Sequence, residues 1–171
     1  GNGASLAILN STFNDVTVSG GSTFVDHSQI DHFLAASGYI VMRNGSNMQG
    51  LQIDGGGLSS FLAERMTFSN PSGDAIDVLW PIEHLRISDS TIIDSAGIGL
   101  NCTYGCEAIG EPHYSDFGFL TSVDFIQNQM GGAKVGFAGD KTFPIDHAWF
   151  VRNGGDALRL TWYGYWATGA L

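Results

Sequence analysis

The chain has 171 residues, a formal net charge of −10, seven Lys and Arg, and 14% charged residues in all. That length is one domain's worth of chain and buries a real core. The charge excludes nucleic acid, whose phosphates need clustered cations, and disfavours an anionic membrane surface. No run approaches 18 apolar residues, so no membrane insertion is expected.

Twenty-four Gly among many Ser, Thr and Asn suit an all-β chain with frequent turns. The opening GNGASLAILN reads as strand or extended chain and offers no amphipathic cap. Without an initiating Met or a signal-peptide pattern at Gly1, the chain is expected to be processed, excised or a fragment. Residues before Ile40 show the least regular pattern. They carry two of three Asp-His pairs, in FVDHS (24–28) and IDHF (30–33); the third is PIDHAWF (144–150).

From Gln49 a rhythm sets in. The segments Gln49–Ile53, Asp74–Val78, Ala96–Leu100, Ala133–Phe137 and Asp156–Leu160 each carry two large apolar residues two apart, the mark of a short strand with one buried face. The phrases FSNPSGDAIDVLW (68–80) and FVRNGGDALRLTW (150–162) repeat in register. Upstream of most segments lies a second apolar set: Met66-x-Phe68, Leu85-x-Ile87, Val123-x-Phe125 and Ala148-x-Phe150. Asn/Gly turns separate the two sets, and no helical period persists.

Self-similarity every 22–25 residues or so points to a solenoid. Leucine-rich repeats need L-x-x-L-x-L, and a WD40 blade needs about 40 residues; neither fits. The remaining reading is a parallel β-helix in which each strand pairs with its copy about 4.8 Å away. Aligning the phrases puts Ile76, Ile98, Val135 and Leu158 in one hydrophobic column. It puts Gln52, Asp77, Gly99, Gly136 and Arg159 in one outward column, where the two glycines form a shelf. That shelf serves either a sugar edge or backbone clearance.

At these residues the chain resembles the pectin-lyase-like superfamily of right-handed parallel β-helices, over roughly residues 6–162 as about seven coils. The whole of 1–171 is expected to be one β-helix domain, or a segment or subunit of a larger assembly. Asp26-His27 and Asp146-His147 resemble a motif of pectate lyases, but the tryptophan of that motif is absent, as is an arginine-proline base motif. As plain chemistry, Asp-His suits a strand-turn edge with its polar tips outward.

One spacing breaks the rhythm. An inserted loop near 101–117 concentrates Glu107, Glu111, His113, Tyr114 and Asp116, which read either as a ligand-contacting loop or as a solvated surface insertion. With Asp77 they form the candidate ligand-binding set. Asp74 and Asp156 lie three rungs apart, about 14 Å. A glycosidase pair, with carboxylates about 5 to 9.5 Å apart, therefore has to recruit Glu107, Glu111 or Asp116, and no catalytic residue is assigned.

Cys102 and Cys106 form either a small disulfide or two thiols. A lone C-x3-C lacks the second ligand pair of a zinc site. Asn10, Asn44 and Asn101 head N-x-[ST] sequons, candidate glycosylation sites of a secreted chain. The aromatic tail with Trp162, Tyr163, Tyr165 and Trp166 is expected to cap the last rung or to meet a partner.

The resemblance implies an extracellular, cell-surface or virion-surface module that contacts polysaccharide, as in tailspikes, adhesins and lyase-like proteins. Two alternatives stand beside it. One is a structural subunit stacking end to end, or as a trimer, in a fibre or spike. The other is a polysaccharide lyase or glycoside hydrolase, for which carboxylates suit Ca²⁺; no other cofactor or metal is expected.

Overall fold

The computed structural model describes residues 5–45, 47–80, 82, 84–102, 118–138 and 145–163. Among them there is no helix, so none is long and apolar enough to cross a membrane. The strands are β1 (Ser5–Leu9), β2 (Thr12–Asp26), β3 (Gln29–Arg43), β4 (Asn47–Gln49), β5 (Leu51–Glu64), β6 (Thr67–Ser69) and β7 (Ile76–Val78). They continue with β8 (His84–Ile93), β9 (Ile98–Cys102), β10 (Gly118–Ile126), β11 (Gly131–Ala138), β12 (Ile145–Asp146), β13 (Trp149–Val151) and β14 (Asp156–Tyr163). All belong to one sheet, and every pairing is parallel.

The pairings fall into three ladders. In the first, Ile8, Val25, Met42, Ala63, Ile87, Leu120 and Ile145 stand in one column. The second aligns Phe13, Ile30, Met48, Phe68, Ile92, Phe125 and Phe150. In the third, Val16, Phe33, Leu51, Ile76, Leu100, Ala133 and Leu158 are in register. Interior members of all three are buried, with Ile30, Phe68, Ile76 and Phe125 fully so. Each such side chain contributes about 1.5–3 kcal/mol when removed from water. The rings of Phe125 and Phe150 stack with centroids 4.8 Å apart and planes at 4°, which is the rung spacing itself.

Between the first and second ladders the backbone turns at one residue per rung. Asn10, His27, Asn44, Arg65, Asp89, Ser122 and His147 all have φ between 48° and 64°. Asn, Asp and His tolerate this left-handed region best among non-glycine residues, and five of the seven positions hold one of them. The corner N–H groups of Asn10, His27, Asn44 and Arg65 donate to Asp26, Arg43, Glu64 and Ser88 carbonyls one rung on. Two of the Asp-His pairs, Asp26-His27 and Asp146-His147, therefore mark this corner, with polar tips outward.

Leu85-x-Ile87 does not stand with Met66-x-Phe68, because Ile87 lies opposite Ala63 in the first ladder while Ile92 lies opposite Phe68 in the second. Two further sequence expectations require correction. First, the residues before Ile40 are regular. β2 and β3 pair from Thr12–Gln29 to Asp26–Arg43 at a 17-residue step, interrupted only between Val18 and Ser22. A search tuned to 22–25 residues misses this shorter period, which dispenses with the Asn/Gly turn.

Second, Ile98 and Val135 do not join Ile76 and Leu158. Leu100 stands opposite Ile76, Ala133 opposite Leu100, and Leu158 opposite Ala133. Strand alternation has period two, so a slip of two residues leaves every side chain on the same face. Only the pairing partner reveals it. With the true register, the rung from Leu100 to Ala133 is 33 residues against 24 and 25 for its neighbours. The insertion is correspondingly shorter, and Asn101 and Cys102 belong to β9 rather than to it.

Candidate functional site

The corrected register changes the outward column of the third ladder. It reads Thr17, Leu34, Gln52, Asp77, Asn101, Lys134 and Arg159. Gly99 and Gly136 are not neighbours in it, and the expected shelf does not exist. Gly99 is buried within β9, where a Cβ would lie 2.6 Å from the Gly132 carbonyl oxygen and 2.9 Å from Asn128 Nδ2. Backbone clearance is its role.

Asp77 sits between Gln52 and Asn101. Asn101 Nδ2 donates to Asp74 Oδ2 at 2.9 Å and to Asp77 Oδ1 at 3.2 Å. The other oxygen of Asp74 accepts the Ile98 N–H at 2.6 Å. Both acids are half-buried and reach one nitrogen, so they are immediate neighbours. β7 and the turn before it thus hold two neighbouring carboxylates without any residue of the insertion, whereas the glycosidase pair expected to recruit Glu107, Glu111 or Asp116 falls on residues outside the described ones. Asp74 and Asp156 are indeed three rungs apart, as are Asp77 and Arg159.

The Asp77 carboxyl is held above the ordinary carboxylate value. Burial is the largest cause, followed by the negative charges of Asp74 and, further down, Asp54; the Asn101 hydrogen bond opposes them. Asp74, by contrast, is engaged as an acceptor on both oxygens. Neighbouring carboxyls in different environments can bind hydroxyl or ammonium groups, and can hold a proton on one side.

A groove of about 440 Å³ opens beside Asp77, with Asp15, His32, Gln52 and Asp74 on its walls and Leu34 among its apolar lining. Phe33 and Leu51, paired in register, also line it. Next to it, Asp54 accepts the Trp80 indole N–H at 3.1 Å and Gln52 Nε2 at 3.4 Å. Trp80 itself is 52% exposed.

Of the expected ligand-binding set, only Asp77 joins this groove. Glu107, Glu111, His113, Tyr114 and Asp116 lie outside the described residues, as does Cys106; Cys102 is buried at the end of β9. Trp162 and Tyr163 extend β14 opposite Phe137 and Ala138, whereas Tyr165 and Trp166 lie outside the described residues. Among the sequon asparagines, Asn10 is exposed, while Asn44 Nδ2 donates to Asp26 at 2.6 Å and Asn101 bridges the acid pair. His32 and Trp80 are not legible in the sequence as site residues, and Asn101 is read there only as a sequon and Asp74 only as an acid remote from Asp156. The D-x-x-D spacing of Asp74 and Asp77 was the available signal.

The Asp-His corners carry small polar clusters. His27 Nδ1 is 3.0 Å from Asp26 and His147 Nδ1 is 2.8 Å from Asp146. Arg65 donates to Asn44 Oδ1 and pairs with Glu64, which also meets Arg43. The Asp26 carboxyl is held below its ordinary value, chiefly by Asn44 and then by His27. Among the described residues no three His, Cys, Asp or Glu side chains converge as a metal site. Compared with known proteins, the chain matches no family, no curated protein and no solved structure.

Proposed function

We propose that the chain is a right-handed parallel β-helix of about seven coils, one rung of each ladder per coil, and that it contacts polysaccharide as an extracellular or virion-surface module. Support for the fold is the parallel alignment of three apolar columns from rung to rung. The resemblance to pectin-lyase-like proteins rests on that same architecture.

The observation that carries the functional reading is the Asp74–Asn101–Asp77 arrangement on a groove wall. Sugars present rows of hydroxyl donors with apolar ring faces. A groove of carboxylate and amide acceptors, bordered by an exposed tryptophan, meets both requirements. A glycan array probed with the native chain tests the reading. Binding to at least one polysaccharide class is expected, with loss of about tenfold in Asp77→Ala and in Trp80→Ala. No bound glycan, or binding indifferent to both substitutions, overturns it. Release of reducing or unsaturated ends from a bound glycan would add catalysis to binding.

A second reading is a subunit that stacks end to end, and it rests on exposed apolar side chains. Among the described residues, Phe13 is 43% exposed and Leu160 52%, apolar surface of the kind a partner copy covers. Sedimentation decides it: a monomer at high concentration counts against stacking.

A further inference from the structure

The third ladder's outward column changes sign along its length. Its acidic part is Asp77, with Asp74 joined to it through Asn101. The two residues beyond Asn101 are Lys134 and then Arg159, directly opposite each other in register. Like charges so placed repel, and among the described residues neither forms an ion pair. They stand in a chain with only seven Lys and Arg against seventeen Asp and Glu. Arg43 and Arg65, by contrast, are paired with Glu64 on the first ladder.

At one rung per about 4.8 Å, Lys134 lies roughly 10 Å and Arg159 roughly 14 Å from Asp77 along a straight line. That line runs on from the groove, whose ionisable lining among the described residues is Asp15, His32, Asp74 and Asp77, with no Lys or Arg. A ligand extended along the ladder therefore meets carboxylates first and cations second. An ammonium group suits the former, and a carboxylate or sulfate the latter, each through charge-assisted hydrogen bonds. A uniformly anionic polymer gains at one end and is repelled at the other; a uniformly cationic one meets the reverse.

We propose that this column binds a glycan of mixed charge laid along it, an amino sugar over Asp74 and Asp77 and an acidic sugar over Lys134 and Arg159. The inference rests on the polysaccharide reading above and adds the charge pattern and direction of the ligand.

Calorimetry with four probes tests it: N-deacetylated hyaluronan oligosaccharides, which alternate amine and carboxylate; parent hyaluronan, with carboxylates only; chitosan oligosaccharides, with amines only; and dextran, uncharged. The mixed-charge probe is expected to bind about tenfold or more tighter than the other three, and to weaken as salt rises. Lys134→Gln combined with Arg159→Gln should lower its affinity to that of chitosan. Asp77→Asn should lower it to that of hyaluronan, and Lys134→Arg should retain binding. Thermal unfolding of each variant confirms that it is folded. If dextran or hyaluronan binds as tightly, or if the double variant binds unchanged, the mixed-charge inference is wrong while polysaccharide contact survives. If none of the four binds and the glycan array is also blank, both fail.

Discussion

Asn101 places one side-chain nitrogen between two carboxylates, 2.9 Å from Asp74 and 3.2 Å from Asp77, across the boundary of neighbouring rungs. The bond ties β9 to β7 and keeps two acids side by side. Replacing it by Ala leaves both carboxylates half-buried with one donor fewer. Asn101→Ala is expected to cost about 1–3 kcal/mol, read as a lowered denaturant midpoint at unchanged slope. Asn101→Asp should cost more, since it sets a third negative charge against the pair.

Asp77 gives the chain a pH dependence of definite sign. Its folded-state value is raised, so the native state binds the proton more tightly than the unfolded chain. The associated stability is fully present below the ordinary carboxylate value of 3.8 and is lost as pH rises through the raised one. Asp77→Asn keeps the acceptor for Asn101 and removes the charge. Its Tm should exceed the native Tm at pH 7 by about 2 °C, and the two should converge in acid. A variant that is less stable at pH 7 contradicts the assignment.

Asp26 acts in the opposite direction. Its carboxyl is held low by Asn44 and His27, so its contribution is present above the ordinary value and fades as pH falls through the lowered one. In Asn44→Ala the Asp26 titration followed by NMR should move upward toward that of a free carboxylate. An unchanged midpoint would mean that the 2.6 Å bond is not formed in solution.

Buried Asn128 joins three turns. It donates to the Ile92 carbonyl at 3.2 Å and to Asn153 Oδ1 at 3.0 Å, and accepts the Ser95 N–H at 3.3 Å. Asn153 in turn donates to the Phe125 carbonyl at 2.9 Å. Asn128→Ala strands these buried groups at once and should cost about 1–3 kcal/mol or more, whereas exposed Gln129→Ala next to it should cost less than about 0.5 kcal/mol. Comparable effects of the two would deny the network its role.

Phe68 is fully buried between Met48 and Ile92 in the second ladder. Phe68→Ala opens a cavity that parallel neighbours cannot close without breaking register, at a cost of about 3–5 kcal/mol. Phe13→Ala, at the exposed end of the same column, should cost well under half as much. Equal costs for the two would argue against a shared stack.

The sequence by itself determined the all-β character, the parallel pairing of successive repeats and the inward face of each strand after Ile40. Alternation of apolar and polar residues is a local property, so Ile76, Val78, Leu158 and their like declare a face without reference to any partner. It could not determine which residue meets which. Period-two alternation is unchanged by a two-residue slip, so Ile98 looks equivalent to Ile76 in the sequence, whereas in the structure Leu100 stands opposite Ile76 and the Ile98 N–H meets the Asp74 carboxylate. That same slip replaced an imagined glycine shelf with Asn101 and carried Lys134 into line with Asp77. The acid pair, the bridging amide and the change of sign along the column depend on side chains from different rungs. Only the tertiary register brings them together.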